Sequence, residues 1–250
     1  MGLFFPEDPS YNETERQRGF NRYKQLLSIR FGQWWKVNLL TLLGFAPLAA
    51  GVFYAIAVSS ILVLLPCSVL GGAIAGPFLA GMYDAVLRGL RDDPTPWWDC
   101  WKRSWRQNWR DGMVLGAALG LLAGQYAFMG MLFWWAETPP SLGAVLLYLL
   151  GGLLVLAFGS LLWPQAVLFR QRLGIRLRNA ALFLLRHFWR VMGAGLLQLG
   201  YWAVLVLFAP WTLLLLPVTG VWYIVFLSQF LLYEQMDEAF QIERLYGEAS

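Results

Sequence analysis

The chain has 250 residues, of which 58% are hydrophobic and only 14% are charged, and its mean hydropathy is +0.53. A soluble domain is about half apolar and about a quarter charged, so too few charges remain here to cover a water-facing surface. The composition excludes a disordered chain, a disulfide scaffold and nearly all soluble folds. It predicts one integral membrane domain, an all-α, polytopic membrane helix bundle. The net charge is +4, but in such a protein the positions of the cations matter more than their sum, and we expect no nucleic-acid partner.

Six apolar stretches are predicted as transmembrane helices, for which about 20 residues suffice. Pro66 separates the first two stretches, and Pro210 divides a long apolar stretch at the C-terminal end into the last two. Two Gly-x-x-x-Gly patterns, at 72–76 and 112–116, are expected to let helices approach closely. Residues 234–250 are predicted to be a short acidic cytoplasmic tail. The six predicted spans are 37–65, 68–87, 113–135, 142–169, 191–209 and 213–233.

Lysine and arginine are confined to alternate connecting segments. The segments before residue 37, at 88–112 and at 170–190 contain six cations each, while the predicted spans and the three other turns contain none. Basic residues in short loops stay on the cytoplasmic side of a membrane. The distribution therefore predicts that the N-terminus and the C-terminus are both cytoplasmic.

The basic segments also carry aromatic residues at helical spacing. In 88–112 four tryptophans recur on one face and most cations fall on the other. This pattern predicts a cytoplasmic interfacial amphipathic helix, with indoles among the lipid headgroups and cations towards water and anionic lipid. The segments before residue 37 and at 175–190 repeat the pattern. A groove of a partner protein is the alternative occupant of this surface. The candidate interfacial or partner residues are Trp98, Trp101, Trp105, Arg106, Trp109, Arg110, Arg186, Trp189 and Arg190.

The same segments suggest a threefold hairpin repeat. Each ends in a tryptophan followed by a cation directly before a span, at Trp35-Lys36, Trp109-Arg110 and Trp189-Arg190. The repeating unit is an interfacial helix, a span out and a span back, and parallel repeats are common in membrane transport folds. The alternative is that interfacial helices leading into spans generally end in an aromatic residue and a cation. The sequence leaves both interpretations open.

Three polar residues would occupy equivalent positions in such a repeat, near the cytoplasmic ends of spans two, four and six. They are Asp84, Gln165 and Glu234. One hypothesis is that they tie the interfacial helices to the bundle by meeting the cations Lys36, Arg110 and Arg190, since a paired carboxylate is less costly to bury. A second is that they form a polar ring at the mouth of a solute pathway. The third is that they are unrelated helix-end residues in water.

Several motifs in the first half of the chain resemble the YesL-like bacterial membrane proteins. They are Asn-Leu-Leu-Thr-Leu-Leu at 38–43, Gly76-Pro77, Met-Tyr-Asp-Ala-Val-Leu-Arg at 82–88 and the aromatic-basic run at 101–109. The first hairpin is longer here than in that family. The resemblance implies a location in the bacterial inner membrane and an association with carbohydrate uptake, because genes of the family often lie beside those of carbohydrate ABC transporters. It implies no catalytic residues.

No motif in the chain points to catalysis. The single histidine, His187, lies among cations, and the two cysteines have no metal-binding spacing; no phosphate-binding or dinucleotide-binding signature is present. We expect no cofactor, no metal and no enzyme activity. The predicted function is a non-catalytic membrane accessory or regulatory protein associated with carbohydrate uptake, and the alternative is a small-solute transporter or channel. The expected partners are the lipid bilayer, anionic headgroups, and either a membrane transporter or a second copy of the chain.

Overall fold

The computed structural model describes residues 19–169 and 171–247, and within those ranges the fold is helical, with no strand. Eight α-helices and one short 3-10 helix follow one another with brief connections. The helices are α1 Gly19–Ala57, α2 Ile61–Leu90, α3 Trp97–Trp135, α4 Leu142–Leu168, α5 Leu173–Arg186, α6 Phe188–Leu207, α7 Gly220–Phe240 and α8 Ile242–Gly247; the 3-10 helix is Trp211–Leu215.

Five of these helices are long and apolar enough to cross a membrane: α1, α2, α3, α4 and α6. Most of their apolar surface faces outwards, because only 17% to 39% of the most hydrophobic window of each helix is buried inside the protein. A soluble protein would bury such surface. The prediction of a helical membrane bundle is therefore confirmed, whereas α7 does not reach the same hydropathy and the count of six spans goes beyond these five helices.

The turn between α1 and α2 lies earlier in the sequence than predicted. The sequence predicted a break at Pro66, but α1 ends at Ala57 and α2 begins at Ile61, with Ser59 in the left-handed region at a φ of 49°. Pro66 is inside α2. Proline is tolerated in apolar helices because neighbouring helices and local adjustments satisfy the freed backbone groups, so it does not mark a boundary here.

The predicted interfacial helices also differ from the helices in the structure. Two of the three basic-aromatic segments are the first halves of α1 and α3, each of which continues for 39 residues without a break. At 1.5 Å per residue each helix is about 58 Å long, about twice the thickness of the hydrocarbon layer. The segments therefore extend the spans beyond the apolar layer. Only the third segment forms a helix of its own, α5, which ends at Arg186 because the next residue, His187, is not in the helical conformation.

The closest helix packing joins α2 to α3. A Cβ atom added at Gly76 would overlap the backbone carbonyl of Gly112, and one at Gly72 would overlap that of Gly116. The two Gly-x-x-x-Gly patterns thus face each other, and the antiparallel helices touch backbone to backbone. Among the predicted hairpins, α1 and α2 pack closely together, whereas α3 has few contacts with α4, the helix that follows it in the chain. The predicted hairpins therefore do not pack alike.

The second half of the chain is built around α4, α6 and α7. The predicted sixth span, 213–233, is not one helix: residues 213–215 belong to the 3-10 helix, turns follow, and α7 begins at Gly220. The α7 helix packs against α1 through aromatic rings, with Phe226 centred 4.7 Å and Trp222 5.7 Å from Trp34. This contact joins the two ends of the chain in one core. Its largest fully buried side chains include Trp34, Met82, Leu87, Leu161, Phe226 and Leu232.

Candidate functional site

The tryptophans of α3 do not share one environment. Trp101 is only 9% exposed, and its ring lies 5.8 Å from that of Phe78 and stacks on Trp98 at 5.6 Å. A Cβ at Gly81 would meet the Trp101 indole at 2.5 Å, so this glycine on α2 creates the space that the ring fills. The prediction of one exposed indole face is wrong at Trp101, which belongs to the core.

The remaining candidates on α3 are exposed. Trp98, Trp105 and Trp109 are large apolar side chains open to the surroundings, and Arg106 and Arg110 are exposed beside them. The Arg110 guanidinium lies 5.5 Å from the centroid of the Trp109 ring, which is within range of a cation–π contact. These five residues form a continuous surface on the first half of α3, and it is called the α3 basic surface below.

The candidates near the start of α6 are also exposed. Arg186 is the last residue of α5, and Trp189 and Arg190 follow in the first turn of α6. Trp189 is 84% exposed. Its counterpart at the end of the first basic segment, Trp35, is 37% exposed, so the Trp-cation motifs do not occupy equivalent environments.

Asp84 belongs to a network of ion pairs at the turn from α2 to α3. The Nε atom of Arg88 donates to Asp84 at 2.8 Å, and Nη1 of the same guanidinium donates to Asp93 at 2.6 Å. Arg30 of α1 donates to the backbone carbonyl of Asp93 at 2.9 Å. The network therefore fixes the turn between α2 and α3 and ties it to α1.

Asp93 is held in its charged form by this network. Burial alone would raise its pKa, but hydrogen bonds from the hydroxyl and the backbone amide of Thr95, together with the Arg88 guanidinium, lower the pKa of Asp93 from 3.8 to about 2. A carboxylate that accepts several hydrogen bonds is stabilised in its anionic form, because the anion is the better acceptor. The turn is thus stabilised by charge at neutral pH.

Asp84 was expected to meet the cations that end the basic segments, Lys36 among them, and the structure shows a different pairing. Lys36 Nζ lies 5.7 Å from the centroid of the Trp97 ring, while Asp84 pairs with Arg88 one turn away on its own helix. A partner at i+4 is reached without fixing a second helix. Asp84 contributes to the tie between helices through Arg88 and Asp93, rather than directly.

Gln165 and Glu234 do not lie in environments equivalent to that of Asp84. Gln165 is buried in α4 and donates to the carbonyl of Leu161 at 3.1 Å, within its own helix. Glu234 is exposed on α7. Asp84 is thus in a buried ion pair, Gln165 is a buried amide and Glu234 is on the surface. The structure does not bring the three residues together as a ring.

Three buried glutamines, Gln165, Gln198 and Gln229, lie on α4, α6 and α7. Gln229 of α7 is fully buried and donates to the backbone carbonyl of Ser160 of α4 at 2.9 Å. Within the described residues, Gln165 Oε1, Gln229 Oε1 and Gln198 Nε2 are buried and have no hydrogen-bond partner. Polar atoms in this state are costly in an apolar interior. The sequence shows each of these glutamines as a polar residue in an apolar stretch, but not its burial inside the protein.

Asn38 has a structural role that sequence patterns did not assign. Its side chain is fully buried in α1 and makes contacts with four backbone groups around the start of α7. Nδ2 donates to the carbonyls of Leu216 and Pro217, and Oδ1 accepts from the amides of Val221 and Trp222. The only sequence signal was an asparagine in an apolar stretch, which is a costly residue there unless it is paired.

The α5 helix is anchored by a buried arginine. Arg176 is 2% exposed; its guanidinium pairs with Asp111 of α3 and donates to the carbonyl of Phe169 at 3.2 Å. Within the described ranges no group of three or more histidine, cysteine or acidic side chains could hold a metal ion. The ionisable residues described in this region thus engage one another across helices.

Comparison with known proteins returned no relative: no protein-family model, no curated protein and no solved structure matches this chain.

Proposed function

We propose that this chain is a non-catalytic accessory or regulatory protein of the bacterial inner membrane, and that its α3 basic surface binds a membrane transporter for carbohydrate. The observation that carries the proposal is the contrast between the two sides of this part of α3. Trp101 is packed into the core, while Trp105, Trp109 and the cations beside them remain open. Exposed tryptophan and arginine are enriched at the centres of protein interfaces.

The absence of catalysis is part of the same proposal. Asp84 and Asp93 are engaged with Arg88, and Asp111 is engaged with Arg176. Acidic groups held in this way support helix packing, and a general acid or base would instead need to meet a substrate. The link to carbohydrate uptake is drawn from the resemblance to the YesL-like family.

We also propose six passages, with both ends of the chain on the cytoplasmic side. The support comes from α7, whose last residue, Phe240, lies 5.5 Å from Phe169 and 6.1 Å from Phe183 in ring centroids. The end of α7 is therefore beside the end of α4 and beside α5, on the side from which α6 departs. Whether the three hairpins descend from one repeated unit remains an accompanying hypothesis.

Affinity purification of the tagged, full-length protein from native membranes tests the proposed function. We expect a defined transporter to co-purify. Replacing Trp105 and Trp109 by serine should reduce its recovery, because both indoles would leave the interface. Trp134→Ser is the matched control, since Trp134 is exposed near the opposite end of the same helix. Recovery of a homo-oligomer without any transporter would overturn the proposal.

A second candidate function, a small-solute transporter or channel, is favoured by the buried amides of α4, α6 and α7 that lack partners. Unpaired polar atoms on Gln165, Gln198 and Gln229 would be satisfied by a polar solute or by water passing between these helices. Solute flux into proteoliposomes tests this function, and Gln229→Leu should abolish that flux. The accessory role predicts no flux with the wild type or with the Gln229→Leu variant, so the experiment distinguishes the two functions.

A further inference from the structure

The α5 helix differs from the other basic segments because it is a separate helix that is held on one side only. The inner side carries Arg176, Ala180 and Phe183, all of which are buried. Arg176 reaches Asp111 of α3, and the ring of Phe183 stacks on Phe240 of α7 at 6.1 Å. Contacts with α3 and α7 thus fix the orientation of α5 and leave its opposite side open.

The open side of α5 is both apolar and cationic. Leu185 is 75% exposed, Trp189 at the start of α6 is 84% exposed, and arginines lie among them. Residues 171–190 contain no aspartate and no glutamate. The exposed residues of this side, called the α5 outer face below, are Ile175, Arg178, Leu182, Leu185, Arg186, Trp189 and Arg190.

We propose that the α5 outer face is a binding surface for anionic phospholipid headgroups. Leucine, isoleucine and tryptophan side chains at this position would enter the boundary between headgroups and acyl chains, while Arg178, Arg186 and Arg190 would meet lipid phosphates. A basic amphipathic helix at a membrane surface gains from both contributions.

Two observations favour lipid over a protein as the occupant. The first is continuity, because the outer face leads directly into α6, whose Leu196, Val204 and Leu207 are exposed apolar residues of a candidate span. The second is charge. All charged residues of the face are cations, whereas the basic half of α3 also contains Asp99 and Asp111. The surface depends on the membrane location of the chain and is independent of the proposed transporter partner.

Thermal unfolding of the full-length protein in detergent, with added phosphatidylglycerol, tests this surface. We expect phosphatidylglycerol to raise the melting temperature more than phosphatidylcholine or inorganic phosphate does. The triple variant R178Q/R186Q/R190Q should lose at least about half of that rise, since charge attraction contributes much of such binding. The control K24Q/R103Q, which removes exposed cations of α1 and α3 that belong to neither named surface, should keep it. An unchanged rise in the triple variant, or an equal rise with inorganic phosphate, would overturn the proposal.

Measuring how deeply α5 lies in the membrane is a second, independent test. Leu185→Cys, placed in a protein without its two native cysteines and labelled with a fluorophore, is reconstituted into nanodiscs that contain phosphatidylglycerol. We expect quenching by nitroxide groups on the lipid chains and little quenching by aqueous iodide. The reverse pattern would place the α5 outer face in water and overturn lipid binding. A failed transporter pull-down would leave this result unaffected.

Discussion

The Oδ1 atom of Asn38 lies 2.9 Å from the backbone nitrogen of Val221, although 183 positions separate the two residues. The amide caps the first turn of α7, whose leading N–H groups have no partner within the helix, and it also satisfies two carbonyls of the preceding turn. One side chain on α1 thereby sets the position of the last long helix of the chain.

Asn38→Leu should therefore destabilise the protein. The substitution leaves the amides of Val221 and Trp222 and the carbonyls of Leu216 and Pro217 buried without this partner, and we expect a loss of about 2 kcal/mol in the free energy of unfolding. The measurement is thermal unfolding in detergent. Gln107→Leu is the control, because Gln107 is an exposed amide; equal losses in the two variants would argue against the capping role.

Gly76→Val should separate α2 from α3. The added side chain would overlap the carbonyl of Gly112, and overpacking of a close contact costs about 1–3 kcal/mol. Gly159→Val is the matched control, since no neighbouring heavy atom lies within 4 Å of a Cβ placed there. We expect a clear fall in melting temperature only for the first variant. A comparable fall for both would mean that loss of helical glycine itself, not the contact, is responsible.

Asp84 and Glu234 should respond differently to replacement by leucine. Asp84→Leu removes one of the two carboxylates of Arg88, and we expect a loss of about 2 kcal/mol, below the figure for a fully buried pair because Asp93 remains. Glu234 is exposed, so Glu234→Leu should change stability by less than about 0.5 kcal/mol. Equal effects in thermal unfolding would restore the idea that the two positions are equivalent.

Acid should weaken the turn between α2 and α3. The folded-state pKa of Asp93 is about 2, below the ordinary 3.8, so its contribution to stability is complete above about pH 4 and disappears as the pH falls through about 2. The melting temperature of the wild type should exceed that of Asp93→Asn by a constant amount near neutral pH. This difference should shrink between about pH 4 and pH 2; a difference that stays constant over this interval would contradict the assignment.

Cysteine labelling in intact cells tests the six passages. In a protein without native cysteines, Thr138→Cys and Thr212→Cys should react with an impermeant reagent. Thr138 lies in the connection between α3 and α4 and Thr212 in the 3-10 helix, and both are on the proposed outer side. Pro94→Cys, in the exposed part of the turn between α2 and α3, should not react until the cells are opened. Labelling at Thr138 without labelling at Thr212 would mean that the hairpin of α6 and α7 does not reach the outer surface.

Composition and hydropathy alone predict the class of fold. In lipid a backbone must satisfy its hydrogen bonds internally, and apolar stretches of about 20 residues do so as helices. The two Gly-x-x-x-Gly patterns predict close approach, because small residues permit helices to touch backbone to backbone, but that they face each other is seen only in the structure. Helix continuity did not follow from such rules, since neither Pro66 nor the change from basic to apolar composition within α1 and α3 ends a helix.

The role of each polar or aromatic residue depends on contacts between helices that are distant in the sequence. Trp101 and Trp105 share one sequence pattern, yet Gly81 of the neighbouring α2 admits only the first. Asp84 pairs with Arg88 instead of Lys36 because the nearer cation lies on the same helix face. Asn38 contacts the start of α7 although most of the chain separates them in sequence, and no local pattern encodes such a contact. Burial and pairing depend on which helices become neighbours, and that is settled by packing over the whole bundle.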